Sequence, residues 1–260
     1  MKLNLTSKVL GMFVVAALTL TACGDKDDDA QPNVGQTACK LTEVEDDDDV
    51  TVAEYNANGY ITNMTSTELD GEEENVYLTA FTYDNTNKLI KEEYFWNGEA
   101  DGYTTYEYAN NMISKAKSYY DGELQYTATL AYDANKRLTS VTEVENGSTE
   151  QYSLHFTYNS AGNVSQTDTK YMGETFMTTK YENYDNKLTP LAAVKGMVDV
   201  YSGTGRNNPG KETTTYYWSE EPETYVTTYT YQYNSNNLPT KTTETTEDGT
   251  SVSNFTYQCN

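Results

Sequence analysis

The sequence predicts an all-β protein, an antiparallel up-and-down meander of about 14 to 16 strands built from repeated β-hairpins and closed, or nearly closed, into a barrel. Three observations carry this. Tyr followed by Asp or Asn recurs at Tyr55-Asn56, Tyr83-Asp84, Tyr132-Asp133, Tyr158-Asn159, Tyr184-Asp185 and Tyr233-Asn234, with degenerate copies at Tyr108 and Tyr257. Successive intervals are 28, 25, 24, 26, 26, 49 and 24 residues, and a fixed period in the twenties marks a repeated supersecondary unit. Between anchors lies a second turn signal, at Asp70-Gly71, Asn97-Gly98, Asp121-Gly122, Asn146-Gly147 and Asp248-Gly249, the dipeptides favoured where both central residues of a hairpin turn need positive φ. Finally, the runs alternate. Tyr126, Ala128, Leu130 and Tyr132 share one face, as do Tyr152, Leu154, Phe156 and Tyr158, and then Tyr229, Tyr231 and Tyr233; such strands bury one side only.

Residues 1–22 open with Lys2 and Lys8, continue through an apolar run from Val9 to Leu20, and end on Leu20-Thr21-Ala22-Cys23-Gly24. That is the layout of a lipoprotein signal peptide, too short in its apolar part to span a bilayer. The mature chain is expected to start at Cys23, acylated (palmitate among its chains) and tethered to a membrane through that lipid. Residues 23–38, beginning Gly24-Asp25-Lys26-Asp27-Asp28-Asp29, read as an acidic linker, and residues 39–260 as one repeat-built β domain.

Removing residues 1–22 takes away two lysines and no acid, leaving 15 basic and 40 acidic residues. Such an excess, with Arg137 and Arg206 the only arginines, excludes a nucleic-acid partner, which needs clustered positive charge. Cys39 and Cys259 are the two cysteines left. An exported compartment permits a disulfide between them, which would set the first and last strands side by side; two free thiols on frayed ends is the alternative.

In chain order, Lys40 to Val44 and Val50 to Tyr55 form the first hairpin, with Asp46-Asp47-Asp48-Asp49 at its tip. Four carboxylates offer oxygen ligands for calcium, although EF-hand spacing is absent and a solvated, self-repelling turn is the plainer reading. The hairpins then follow one another to Tyr184. The interval of 49 reads as two repeats, one of them rewritten between Thr189 and Tyr217. Inside it, Leu191 to Val198 is the one helical candidate, a short helix near 190–200 that plugs an opening or packs on the apolar face. Ser202-Gly203-Thr204-Gly205-Arg206 lacks Walker spacing and reads as a loop. So many strands with a single apolar face exceed an open sheet, and closure removes the edges. The opposite face, rich in Thr, Ser, Glu and Lys, lacks the apolar band of a membrane-spanning barrel, which predicts a water-soluble barrel with Tyr, Leu and Phe inward.

The copies Tyr132-Asp133-Ala134-Asn135-Lys136-Arg137-Leu138 and Tyr158-Asn159-Ser160-Ala161-Gly162-Asn163-Val164 resemble the YD repeats of RHS-type proteins, with the turn glycine kept at Gly59 and Gly162. RHS shells enclose a toxin, for which this chain has no length. From Cys39 to Asn260, including Tyr184-Asp185-Asn186-Lys187-Leu188-Thr189-Pro190 and Asn207-Asn208-Pro209, it is similar to a family of Bacteroidota lipoproteins described as porin-like in fold. The resemblance implies a porin-like barrel in the outer membrane and carries no activity or site residues. The acidic run after Cys23 resembles the surface-export signal of such lipoproteins and implies the outer face, the periplasmic face being the alternative.

Catalytic signatures are absent. His155 is the only histidine, expected on an outward face beside Ser153 and Thr157, and neither remaining cysteine lies in a C-x-x-C pair. The chain reads as a non-enzyme without a cofactor. Aromatic side chains are the remaining handle, since Tyr and Trp stack on sugar faces and anchor interfaces: Trp96 beside Asn97-Gly98, and Tyr216-Tyr217-Trp218. The leading expectation is non-catalytic binding of a glycan or envelope component. A scaffold subunit of an envelope complex is the alternative, and a carboxylate-dependent glycosidase the third.

Overall fold

A computed structural model describes residues 39–46, 49–70, 73–197, 207–219 and 221–259. The signal segment, Cys23 and the acidic linker lie outside the described residues, as do Asp47, Asp48 and the loop Ser202 to Arg206.

The described residues form sixteen strands: β1 (Cys39–Glu45), β2 (Asp49–Tyr55), β3 (Ile61–Asp70), β4 (Glu73–Tyr83), β5 (Leu89–Trp96), β6 (Glu99–Ala109), β7 (Met112–Tyr120), β8 (Glu123–Tyr132), β9 (Leu138–Glu145), β10 (Gln151–Tyr158), β11 (Val164–Tyr171), β12 (Glu174–Glu182), β13 (Lys211–Tyr216), β14 (Glu223–Tyr233), β15 (Pro239–Thr245) and β16 (Thr250–Cys259). Each pairs antiparallel with its neighbour in sequence, and β1 pairs with β16 to close the barrel. At this seam Cys39 lies opposite Cys259, and the two form a disulfide with Cα atoms 3.9 Å apart.

Two kinds of turn alternate, and each collects at one end of the barrel. At the end holding Cys39, five of the Tyr-Asp/Asn copies build one loop design. The Asp or Asn Oδ1 accepts two backbone N–H groups, two and four residues on: Asp84 from Thr86 and Lys88, Asp133 from Asn135 and Arg137, Asn159 from Ala161 and Asn163. Asn56 and Asn234 do the same. Short polar side chains that satisfy neighbouring amides are what holds such turns. The third loop residue after the Asp or Asn has positive φ, as Gly59, Asn87, Lys136, Gly162 and Asn237, so the repeat needs a residue that tolerates this region rather than glycine itself. The degenerate copy at Tyr108 turns through Asn110 and Asn111 alone, both with positive φ.

The repeated tyrosine has a second task. Its ring lies inward and its hydroxyl donates to the carbonyl of a residue near the start of the preceding inward-facing run: Tyr55 to Leu41, Tyr83 to Ile61, Tyr108 to Leu89, Tyr132 to Ile113, Tyr158 to Leu138, Tyr184 to Val164 and Tyr257 to Pro239, at 2.6 to 2.9 Å. Seven of the eight copies are thereby stapled to the preceding run, the exception being Tyr233, whose hydroxyl goes to Asp185. Burial pushes the Tyr158 hydroxyl up to about 12, so it stays a donor at any physiological pH. Tyr158→Phe is expected to cost about 1 kcal/mol in urea unfolding, the net value of one hydrogen bond; an unchanged midpoint would show that the hydroxyl holds nothing.

The buried apolar side chains concentrate at this turn end. Leu41, Ile61, Leu89, Ile113, Val141, Val164, Leu238 and Phe255 belong to one core, capped by Leu191, Ala193 and Val194 from the segment between β12 and β13. Here the structure corrects two expectations. Among the described residues the helix expected near 190–200 is a 3-10 turn, Pro190–Ala193, after which Val194 is extended; Val198 lies outside the described residues. Leu191 is 1% exposed, so tertiary burial rather than helical periodicity organises the run. The segment ends at Gly196, whose φ is +96° and whose Cα sits so close to Tyr60 and Tyr83 that a Cβ would lie 2.7 Å from each. Just before it, the Ile61 amide donates to the Lys195 carbonyl at 2.9 Å.

The interval of 49 residues is not two repeats. Among the described residues between Tyr184 and Tyr233 there are two strands, β13 and β14, the normal complement of one repeat. The extra length is an insertion within the turn itself. Asp185 Oδ1 accepts the Lys187 amide two residues on, as usual, but its second donor is the Asn208 amide, 23 residues away instead of four. Asn207 and Asn163 exchange hydrogen bonds at 3.1 and 3.3 Å, fixing the C-terminal root of the insertion, and Tyr233 donates to Asp185.

Candidate functional site

The opposite end is made of the tight hairpins. The turns Asn97-Gly98, Asp121-Gly122 and Met172-Gly173 have positive φ at both residues, as type I′ geometry requires; the last of these carries no sequence signal. The Asn146-Gly147 and Asp248-Gly249 turns have positive φ at glycine only. These tips carry Asp46, Asp121, Glu150, Glu174, Glu221 and Asp248 among their acids, and no lysine or arginine among the described residues. The turn end is the reverse. There Lys40, Lys88, Arg137, Lys187 and Lys195 lie 4.0 to 6.0 Å from the ring centroids of Tyr55, Tyr108, Tyr158, Tyr233 and Tyr60.

Register fixes which side chains line the interior. On every strand the positions in step with the core face inward, so Tyr77, Tyr94, Trp96, Tyr120, Tyr126, Tyr152, Tyr216 and Tyr225 all point into the barrel near the hairpin mouth. Deeper in, Thr104 bonds Ser118 at 3.1 Å, Thr179 bonds Thr214 at 3.0 Å, and Tyr94 donates to Glu92 at 3.0 Å. The interior is therefore graded from an apolar base through a hydroxyl-rich middle to an aromatic rim. Asp49, Glu92, Glu143, Glu212 and Glu244 face inward too, whereas the strand lysines, such as Lys91, Lys117 and Lys211, stand at the alternate positions and pair outside with Glu93, Glu107 and Glu182.

One stretch of the rim is continuous. Tyr152 lies 4.8 Å from Tyr171 and 6.5 Å from Phe176; Phe176 lies 5.2 Å from Trp218, Trp218 stacks on Tyr216 at 5.1 Å, and Tyr216 meets Tyr225 at 5.8 Å. Trp218 is 64% exposed at the head of this strip. The structure thus brings Tyr216 and Trp218 together. Tyr217, whose parity is opposite, faces outward and is exposed. Trp96, 53% exposed, stands opposite Tyr77 on a different stretch of the rim. Sequence reasoning missed Phe176, Tyr152, Tyr171 and Tyr225; a usable signal was their place within two or three residues of a hairpin tip.

Glu212 is the most perturbed acid. Burial, reinforced by the charge of Glu244 and opposed by a hydrogen bond from Tyr229, pushes its carboxyl up to about 7. Glu244 is raised by burial and then by Asp46, and it lines a depression of about 270 Å³ with Thr246, Asp248 and Ser251. At the first hairpin the Asp46 amide donates to the Asp49 carbonyl at 2.8 Å; Asp49 turns inward, and among the described residues no three acidic, His or Cys side chains gather as metal ligands. His155 lies on the outer face, 3.1 Å from Ser153, and burial and Lys170 lower its pKa.

A closed barrel of sixteen antiparallel strands, with an interior lined by polar and aromatic side chains, has a counterpart among solved proteins. The chain has the fold of a porin-like protein. The crystal structure of one from Bacteroides uniformis matches with a TM-score of 0.58 at 17% identity, over 86% of this chain and 98% of that one. A porin-like protein from Bacteroides vulgatus aligns with a TM-score of 0.42 at 14% identity, over 84% and 98%. No protein-family model matches the chain, and no curated protein matches it. The likeness lies in the barrel. A porin that crosses a bilayer wears an apolar outer band; the outer face here mixes threonines such as Thr129, Thr139 and Thr230 and three Lys-Glu pairs with the exposed Val50, Val52 and Val226.

Proposed function

We propose that this is a lipoprotein, tethered to the outer membrane through Cys23 and displayed on its outer face, that binds a glycan or another envelope component without catalysis at the hairpin mouth. A polar outer face is suited to a barrel that stands in water, and the lipoprotein-type start of the sequence supplies the tether. The carrying observation is the strip from Tyr171 to Tyr225 with Trp218 exposed at its head. An exposed aromatic side chain held in place by stacked neighbours is a rigid apolar surface against which a sugar ring can pack.

The test is a thermal-shift screen against host and dietary glycans, peptidoglycan fragments and calcium, repeated with Trp218→Ala. A ligand at a hundred times its Kd raises stability by about 2.7 kcal/mol. One sugar class is expected to give such a shift, and Trp218→Ala to weaken binding by about 2 kcal/mol, as truncating a central aromatic anchor does. A shift of equal size in the variant would remove the strip as the site. Display on the cell surface predicts that protease added to intact cells removes the protein; full protection would place it on the periplasmic side.

A further inference from the structure

The charge around the strip says what kind of ligand it takes. Glu150 lies near enough to Tyr171 to raise its hydroxyl pKa, Glu174 stands opposite Tyr171, Glu223 stands opposite Tyr216, and the Tyr225 hydroxyl donates to Glu223 at 3.2 Å. Among the described residues the one basic neighbour of the strip, Lys170 beside Tyr171, pairs with the outward-facing Ser153 and Thr175, and no lysine or arginine points inward at this rim. The contrast with the turn end is direct: five tyrosines there already hold a basic side chain against the ring, while no cation among the described residues lies over a ring of the strip. Aromatic faces attract cations within about 6 Å, and a mouth walled by one sign of charge concentrates the opposite sign.

We infer that the mouth takes a saccharide bearing protonated amines, packed along Phe176, Trp218 and Tyr216, with an ammonium met by Glu150 and Glu174 at one end of the strip or by Glu223 at the other. This rests on the glycan-binding reading above and narrows it to cationic sugars. The same carboxylates repel uronic and sulfated saccharides, because two like charges a few Å apart cost free energy at any partly desolvated surface. A neutral sugar keeps the stacking and loses the ionic part.

Three probes separate these cases by calorimetry on the full chain at pH 6: a glucosamine tetramer, its fully N-acetylated counterpart, and a uronic-acid tetramer. The amine-bearing tetramer is expected to bind about tenfold tighter than the acetylated one at low salt, an advantage that shrinks as the Debye length falls to about 3 Å in molar salt. Glu150→Gln and Glu223→Gln should erode that advantage and leave the acetylated tetramer unaffected. Trp218→Ala should weaken both. If the acetylated or the uronic tetramer binds as tightly as the amine, the inference fails while the aromatic site stands. If the amine binds equally well to Trp218→Ala, the attraction is only that of an acidic protein for a cation, and the inference is again overturned. If no tetramer binds, the inference and the glycan reading fall together.

Discussion

Replacing Cys39 and Cys259 by serine is expected to lower the unfolding free energy by about 5 kcal/mol, the largest single effect available in this fold. The bridge spans 220 residues, nearly the whole barrel, and loop-closure entropy makes cross-links of long loops the most effective; for this length the chain-entropy relation gives about 5 kcal/mol at 25 °C. The effect acts through the unfolded chain. In the native state the seam stays hydrogen-bonded, with β1 and β16 paired from Cys39↔Cys259 to Glu45↔Asn254 across one bulge between Leu41 and Glu43, and Asn236 Nδ2 at 3.2 and 3.5 Å from the two sulfurs. The serine pair should therefore still close the barrel, while its urea denaturation midpoint drops and its m-value rises as the released unfolded chain exposes more surface. Reduction of the wild-type protein should reproduce the shift. A loss below about 1 kcal/mol would mean that residual structure already holds the unfolded ends together.

The barrel was largely legible because its information is local. A tyrosine followed by an Asp or Asn is readable since the carboxyl or amide oxygen meets two amides within four residues, and the Asn-Gly or Asp-Gly signal since the glycine takes positive φ in every such described turn and the residue before it does so in Asn97-Gly98 and Asp121-Gly122. Strand alternation then placed Tyr152, Leu154, Phe156 and Tyr158 on one face without any long-range knowledge. Where a feature depends on partners far along the chain, sequence misled. An insertion between Lys187 and Asn208 comes close to one repeat in length, so the 49-residue interval mimicked two copies, and only the 23-residue reach from Asp185 to Asn208 reveals a single turn. Leu191 to Val198 looked helical from its apolar run, yet Pro190 and burial against the barrel end decide its shape.

The candidate site divides along the same line. Trp218 and Tyr216 were visible as aromatics near a strand end. Their continuation through Phe176 to Tyr152 was not, because it depends on the pairing of β12 with both β11 and β13, where Thr169↔Met177↔Tyr216 sets the register and a bulge between Thr169 and Lys170 displaces Phe176. Parity also splits Tyr217 from its neighbours, which composition alone cannot do. The acidity of the mouth was present in the net charge, but its segregation from the basic turn end follows from which hairpins share an end.

Raising the pH from about 4.5 to about 7 is expected to destabilise the barrel through Glu212, by up to about 3 kcal/mol at 1.36 kcal/mol per pKa unit. The native carboxyl binds its proton more tightly than the unfolded one, so between the ordinary value of 4.5 and the folded value of about 7 the native state holds the extra proton. Stability is then fully present below the lower value, falls as pH rises through the window, and is flat above it. The groups facing Glu212 agree with this sign: Glu244 and Tyr181 supply no positive charge, and the Tyr229 hydroxyl opposes the shift without cancelling it. Glu244, raised by burial, adds in the same direction. Asp84 and Asp133 act oppositely, since turn amides hold them below the usual carboxylate range, and their contribution is lost only on strong acidification. Glu212→Gln should consequently match the wild type near pH 5 and exceed it at pH 8, read as urea midpoints at both values. A difference independent of pH would show that Glu212 is ionised in the native barrel, with a cation or water compensating it inside the lumen.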